Sequence, residues 1–357
     1  MKHLRPLLIS FNGKMKEMCG KMFTFVARNR NLIIVMITQN IAKPFLKWAG
    51  GKGQLLPQLE AALPQELFDD SFTYVESFVG GGAMLFFMLQ TFPNIARVVI
   101  NDINENLTAA YKVIKDEPEG LIYRLKHIEQ MYLPITDYEE QRTFYLEMRR
   151  RFNEEVLTDI DKAALLIFLN RTCFNGLYRE NAKGYFNVPF GRYANPTICN
   201  EEVIYADSEL LNRFDVQIMT GDFKRTAETV NPGERTFFYF DPPYRPLSAT
   251  SSFNTYVKDE FGDNEQRELA AFCRNLCTND NIIWMLSNSD CSAKNPEDTF
   301  FEDIYNGFHI NRVFASRAIN ANPNKRGKLT ELLISNFPIG KKAMHHQTRK
   351  QQLKQAI

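Results

Sequence analysis

Residues 72–102 hold the feature that most restricts the fold. A short β-rich run, Phe72–Glu76, ends in a glycine turn at Gly80–Gly82 and passes into a helical stretch, Ala83–Gln90. A second strand, Arg97–Asn101, follows and ends at Asp102. Two strands joined through a helix lie parallel, because the crossover returns the chain to the same end of the sheet. Strand-like runs recur at Val216–Met219, Thr236–Phe240, Ile282–Leu286, His309–Phe314 and Glu331–Asn336. The spacing predicts an α/β chain built on a parallel, doubly wound sheet.

Between the second and third of these strands lies a block of another character, residues 112–210. It is helical and charged at first, over Thr143–Phe152 and Asp161–Asn170, and then becomes a Gly/Asn/aromatic segment, Arg171–Tyr193. We read it as an insertion into one α/β domain formed by residues 36–111 and 211–340. Residues 1–35 lack sustained periodicity and form an extension; Met36 is expected to be the natural start, or the extension to be dispensable. Residues 341–357 form a basic tail.

Charge narrows the possible partners. The net charge is +1 over 357 residues. Residues 1–35 carry seven Lys/Arg and one acid, and residues 341–357 carry five Lys/Arg and no acid. The intervening 36–340 hold 31 basic against 41 acidic residues. Coating nucleic acid by bulk charge is therefore excluded, and any nucleic-acid surface must be local. No apolar run reaches the ~18 residues of a membrane span, so no membrane partner and a cytoplasmic location are expected. Six cysteines without fixed spacing make no disulfide framework. With five histidines and no His/Cys cluster, no metal is expected, and Cys273 and Cys277 are read as core residues.

The glycine turn reads Glu76-Ser77-Phe78-Val79-Gly80-Gly81-Gly82. Such a turn lets a ligand approach backbone amides at the positive end of a helix. Leu85 stands where a dinucleotide fingerprint wants a small residue, and Gly51-Lys52-Gly53 is not a phosphate-loop lysine motif. Asp102 ends the next strand, where doubly wound folds place an acid on ribose hydroxyls; the other reading is an N-cap for the helix that starts near Asn104. Gly221-Asp222-Phe223 offers a carboxylate and a ring to an adenine, or is a simple turn.

The apolar strand before Asp241 runs directly into Asp241-Pro242-Pro243-Tyr244. Two prolines make a rigid turn without backbone donors and leave carbonyls as acceptors. An exocyclic amine conjugated to a ring is a weak nucleophile. Two acceptors on its hydrogens localise the lone pair and stabilise the positive charge that develops during attack. The ring of Tyr244 can stack on the base.

Lys43-Pro-Phe-Leu-Lys47-Trp48-Ala-Gly-Gly-Lys52, the Glu76/Phe78-x-Gly80-x-Gly82 turn and Asp241-Pro-Pro-Tyr244 occur in this order. Together they resemble the Dam-like adenine-N6 DNA methyltransferases over about residues 41–340. The resemblance implies a Rossmann-like S-adenosylmethionine-dependent methyltransferase sheet with an inserted, mainly helical target-recognition domain carrying a β-hairpin. It implies that Trp48 and Lys52 contact S-adenosylmethionine, as does Asp241, and that Glu76 and the turn Phe78–Gly82, with Gly80 and Gly82, hold its methionine part. Asp102 would take the ribose, Asp222 and Phe223 the adenine, and Asp241 and Tyr244 the target base. Double-stranded DNA is the implied partner. A cognate restriction endonuclease is left open, and a monomer is expected, since one enzyme can methylate both strands of a palindrome in separate encounters.

Within Arg171–Tyr193 four basic residues face one acid, with six aromatics interleaved and a hairpin tip at Lys183-Gly184. Lys and Arg here suit phosphates, Lys183 and Arg192 among them, while one or two side chains read base edges. The segment resembles the GATC-methylating branch. That resemblance implies Phe174 as the residue filling the gap left by an extruded adenine, Asn175 as an orphan-base or backbone contact, Arg179 as the reader of the first guanine, and Leu177 and Pro189 as contacts to other bases. The loop Asn320–Lys328 is assigned to phosphates. Other readings are an amino-methyltransferase for another DNA site or for RNA, a non-catalytic DNA-binding protein, and a nicotinamide oxidoreductase that rests on the glycine turn alone.

Overall fold

The structure is a computed structural model that describes residues 24–28, 31–35, 41–48, 50–247, 261–315 and 329–339. Three expectations lie outside these residues: the start at Met36, the loop Asn320–Lys328 and the basic tail. Strands β1 (Thr24–Arg28) and β2 (Asn31–Val35) form an antiparallel pair with Arg28 opposite Asn31.

The described residues from Ala42 onward form a second unit built on a seven-stranded sheet. Its strands are β3 (Phe72–Glu76), β4 (Ile95–Asp102), β5 (Val216–Thr220), β6 (Thr236–Phe240), β7 (Ile282–Ser289), β8 (His309–Ala315) and β9 (Leu329–Ser335). The spatial order is β5-β4-β3-β6-β7-β9-β8. The first five strands of that order are parallel; β9 runs antiparallel between β7 and β8. The parallel expectation thus fails at β9 alone: β8 runs in the same direction as the other five strands but pairs only with the reversed β9.

Every residue of β3 and β6 is buried, as expected for parallel strands covered on both faces. The chain leaves β3 toward β4 and β5, then returns to the other side of β3 at β6. The strand order reverses there, and ligands of open α/β sheets bind at the carboxyl ends of strands flanking such a point.

The helices are α1 (Leu56–Ala62), α2 (Glu66–Asp69), α3 (Ala83–Thr91), α4 (Glu105–Asp116), α5 (Pro118–Tyr132), α6 (Tyr138–Glu154), α7 (Asp159–Thr172), α8 (Glu201–Arg213), α9 (Asp263–Leu276) and α10 (Phe300–Ile304). Caps mark their starts: Asn104, Asp137, Thr158 and Asn200 each accept a backbone N–H from the first turn. Helix α7 buries residues on all sides, Ala163 to Asn170 and Thr172, as the centre of the inserted block must. Its side chains join one continuous core with β3 and β4, through residues such as Phe168, Leu169, Tyr74 and Ile100. No helix among the described residues is long and apolar enough to cross a membrane.

Candidate active site

The glycine turn follows from backbone geometry. Gly80 and Gly82 have φ of +48° and +76°, a region costly for residues with a Cβ. A Cβ on Gly80 would stand 2.9 Å from Trp48 Cδ1, and one on Gly82 would stand 2.4 Å from Tyr111 Oη. The turn is held from both sides. Asp102 Oδ2 accepts the Gly80 N–H at 3.0 Å, and Tyr111 Oη donates to the Gly80 carbonyl at 3.0 Å. The other oxygen of Asp102 accepts the Asn104 N–H at 3.0 Å, while Asn104 itself caps α4. The N-cap of α4 is therefore Asn104 and not Asp102, which ends β4 beside the turn and holds the Asn104 N–H.

Asp241 ends β6, next to β3 across the switch point. Its Oδ1 lies 2.8 Å from Lys52 Nζ. The same ammonium donates to the Gly50 carbonyl at 3.0 Å and sits 4.4 Å from the centre of the Tyr244 ring. The Tyr244 hydroxyl donates to Glu331 Oε2 on β9 at 2.7 Å. The Pro243 carbonyl accepts from Gln266 Nε2 at 3.0 Å. The expectation that both proline carbonyls stay available therefore narrows to Pro242, whose carbonyl has no partner among the described residues.

Three carboxylates meet in this crevice. Glu76 is 2% exposed and accepts from the Tyr74 hydroxyl at 2.7 Å. Burial pushes it well above the usual carboxylate range, and the charges of Asp241 and Asp102 push the same way. Asp102 is raised by burial against the pull of its backbone donors. Asp241 is pushed up to about 6 by burial, against the opposing effect of Lys52. Keeping three buried carboxylates ionised beside one buried lysine is costly, and a cationic ligand in the crevice would lower that cost. A sulfonium or ammonium group fits that demand, and the side-chain-free turn admits a close backbone approach.

Phe78, Phe223 and Phe261 form a ring cluster at this edge, with Phe78–Phe223 centroids 5.3 Å apart and Phe78–Phe261 5.6 Å apart. Phe223 is 6% exposed, so only a small part of it can meet a ligand. Asp222 is exposed, and its Oδ1 accepts the Lys224 N–H at 2.8 Å at the start of a 3₁₀ turn.

The recognition residues gather on a turn and a narrow hairpin. Phe174 and Leu177 are 51% and 38% exposed. Asn175 has φ +56° and is exposed between them. Pro189 is exposed, and its carbonyl accepts the Phe174 N–H at 2.9 Å. The tip at Lys183-Gly184 turns with Gly184 at φ +76°, but the arms are joined by isolated bridges, Glu180–Phe186 and Cys173–Phe190, in place of a ladder. Arg179 donates through Nε to Asn187 Oδ1 at 2.7 Å across the hairpin. Arg192 lies over the Tyr138 ring, 4.7 Å from its centre.

Not every basic or aromatic residue of the segment faces outward. Arg171 is partly buried and donates to the Phe45 carbonyl at 2.6 Å, and its Nε has no partner among the described residues. Phe186 and Phe190 are core residues. Tyr178 stacks on Trp48, with centroids 5.4 Å apart at 26°.

Several residues of the site belong to no motif in the sequence. Glu331, Gln266 and Asn288 all act on the Asp241–Tyr244 turn, directly or through one intermediate. Asn170, buried on α7, bonds the N–H and carbonyl of Lys47 and the Gly176 carbonyl, tying the Trp48 segment to the Phe174 turn. One signal was available: the polar run Ser287-Asn288-Ser289-Asp290 closes an apolar strand and is buried throughout.

Residues 48–319 match the family model for the D12 class N6 adenine-specific DNA methyltransferases. The Type II methyltransferase M.MjaIII of Methanocaldococcus jannaschii is 45% identical over 299 residues, 83% of this chain and 99% of that protein. The Type II methyltransferase M1.LlaDCHI of Lactococcus lactis subsp. cremoris is 36% identical, covering 83% and 95%. The DNA adenine methylase of Haemophilus influenzae is 33% identical, covering 82% and 92%. A reversed-order α/β sheet with an acid-lined crevice at its carboxyl edge and a match over most of the chain agree: the protein is an enzyme of the D12 class of N6 adenine-specific DNA methyltransferases.

Proposed function

We propose that the chain methylates adenine N6 within GATC in double-stranded DNA, with the adenine extruded into the Asp241–Tyr244 turn. The observation that carries the chemistry is the state of that turn. One oxygen of Asp241 is held by Lys52, the other has no partner among the described residues, and the Pro242 carbonyl is likewise available. These are two acceptors for the two hydrogens of an aromatic amine. Lys52 favours the ionised form of Asp241, the form that accepts. As the nitrogen attacks, the carboxylate and the carbonyl stabilise the growing positive charge. The proton leaves afterwards, and the Asp241 carboxylate can receive it. The Tyr244 ring, fixed by Glu331 and Lys52, offers a stacking face.

S-adenosylmethionine supplies the methyl group when bound. Trp48, Glu76, Phe78 and the Gly80–Gly82 turn would hold its amino-acid end, Asp102 its ribose, and Asp222 with Phe223 its adenine. The fit rests on the acidic crevice and on the turn that has no room for a Cβ.

We assign the DNA face to the block 112–210. The exposed ring of Phe174 suits the gap that an extruded base leaves. Unstacking costs a few kcal/mol, and an inserted aromatic returns about 1–3 kcal/mol. The tethered guanidinium of Arg179 suits the O6 and N7 edge of the first guanine. The names of relatives, DNA adenine methylase among them, support the base; the Phe174–Arg179 and hairpin residues support the site.

The test incubates the protein with S-adenosylmethionine and plasmid DNA, then digests separately with a GATC nuclease blocked by N6-methyladenine and one that requires it. Protection from the first and cutting by the second are expected. If neither pattern changes while labelled methyl still enters other DNA, the site assignment fails and the chemistry stands.

A further inference from the structure

The Asp241–Tyr244 turn is held from behind by a polar relay in an apolar layer. Gln266 on α9 and Asn288 on β7 are each 0% exposed. They lie beside a core of Leu269, Phe240, Leu286 and Trp284. Buried amides in such surroundings are costly unless every bond is made. Here the bonds form a chain. Asn288 Nδ2 donates to Gln266 Oε1 at 3.0 Å, and Gln266 Nε2 donates to the Pro243 carbonyl at 3.0 Å. Asn288 Oδ1 accepts the N–H of Arg245 at 3.3 Å and of Ser289 at 2.8 Å. Ser289 Oγ donates to the Arg245 carbonyl at 2.7 Å. The Arg245 guanidinium is fixed in turn by Asp263 at 2.8 Å and Asp298 at 2.6 Å.

Together these groups occupy the Pro243 carbonyl and both the N–H and the carbonyl of Arg245. A hydrophobic pair of similar size would fill the same volume without the cost of burying two amides. The amides are explained by the one thing apolar side chains cannot do, which is to fix the rotation of the Pro243 and Arg245 peptides.

We propose that Gln266 and Asn288 are positioning residues for methyl transfer, which by holding the Pro243 carbonyl and the Arg245 amide leave the Pro242 carbonyl and the Asp241 carboxylate as a rigid pair of acceptors for the target amine. This rests on the role given above to Asp241 and Pro242. Both amides are fully buried behind the turn, so their removal is expected to act on the rate of transfer and not on binding.

The experiment measures single-turnover methylation of a duplex that the wild type methylates, with enzyme and S-adenosylmethionine saturating, alongside Kd for the cofactor and for the duplex. Gln266→Leu keeps the volume and removes both bonds. Its rate is expected to fall about 10- to 100-fold, the usual scale for a misplaced catalytic group, with both Kd values within about twofold of wild type. In Gln266→Glu the protonated carboxyl can still donate to Pro243, whereas the ionised one cannot. The ratio of its rate to that of the wild type is therefore expected to rise at least about fivefold from about pH 8.5 to about pH 6.

A Leu variant with wild-type rate, or one that loses affinity in step with rate, overturns the proposal, as does a flat ratio for the Glu variant. If the Leu variant does not fold, the Glu ratio decides alone. Asp241→Ala is the control for the underlying role: methylation that survives it overturns that role and the proposal with it, whereas loss there with normal Gln266 variants overturns the proposal alone.

Discussion

Lys52 Nζ and Asp241 Oδ1 stand 2.8 Å apart, the lysine 4% and the aspartate 21% exposed. They are 189 positions apart in the chain, and the pair joins the segment after Trp48 to the carboxyl end of β6. Removing one partner of such a pair leaves the other charge in a poor environment. This makes the pair a switch for the charge state of Asp241.

Burial pushes Asp241 up to about 6 even with Lys52 in place. Activity that needs the carboxylate is therefore lost as pH falls through about 6. Lys52→Met removes the group that opposes burial, so the acid limb of the rate moves to higher pH. At saturating S-adenosylmethionine the single-turnover rate at about pH 7 should fall about tenfold or more and recover toward about pH 9. An acid limb left where the wild type has it would contradict the pairing.

Gly80→Ala tests the turn. The new Cβ would meet the Trp48 ring at 2.9–3.0 Å, at a backbone φ of +48°. Trp48 must move, and its stacking on Tyr178 goes with it. Cofactor affinity by calorimetry should drop about tenfold or more, in line with about 1–3 kcal/mol for a residue forced into an unfavourable backbone region. Unchanged affinity would separate Trp48 and the turn from the cofactor.

Arg179→Ala tests the base reading. A bidentate Arg–guanine contact discriminates by about 1–3 kcal/mol, so the preference for GATC over a site altered at its first base should shrink about 5- to 150-fold. Cofactor affinity should stay as it was. Equal losses at both sites would mean that Arg179 only holds the hairpin through Asn187.

Asp207 gives a stability prediction. It is 0% exposed on α8 and accepts the Lys43 N–H at 3.0 Å, and its Oδ2 has no partner among the described residues. Burial pushes it up to about 8. The folded chain then holds a proton that the unfolded chain releases near its ordinary value, so this contribution to stability is present at low pH and is lost as pH rises toward and through about 8. Asp207→Asn keeps an acceptor for Lys43 and removes the titration. Denaturant melts at about pH 6 and about pH 8.5 should show a smaller pH dependence in the variant, by up to about 1.4 kcal/mol per pH unit. Parallel slopes for variant and wild type would place the titration elsewhere.

Much of the fold was legible because buried parallel strands leave a plain mark. Phe72–Glu76 and Thr236–Phe240 are mostly apolar and buried on both faces, and each runs into a turn that no helix or strand can continue. The same two turns carry Gly80–Gly82 and Asp241–Tyr244, so the crevice was legible together with the sheet. The place of the last strand was not. A run of alternating residues announces a strand but does not name its neighbours, and β9 slots between β7 and β8. With it comes Glu331, the partner of Tyr244 from 87 positions away. Among the basic residues of the inserted block, sequence alone could not separate Arg171, which ends the buried helix α7 and turns inward to Phe45, from Arg179 on the hairpin.

What the sequence determined by itself was local: strand, turn and helix along 72–102, the rigid Asp-Pro-Pro-Tyr turn, and a Gly/Asn/aromatic segment too irregular for either regular element. What only the tertiary structure decided was which distant groups meet there. Lys52 neutralises Asp241, Glu331 fixes Tyr244, Gln266 takes one proline carbonyl and spares the other, and Asn170 joins the Trp48 segment to the Phe174 turn. The reason is physical. Backbone conformation is set by neighbours in the chain, whereas charge state and hydrogen-bond partnership are set by whatever the packed core brings within about 3 Å.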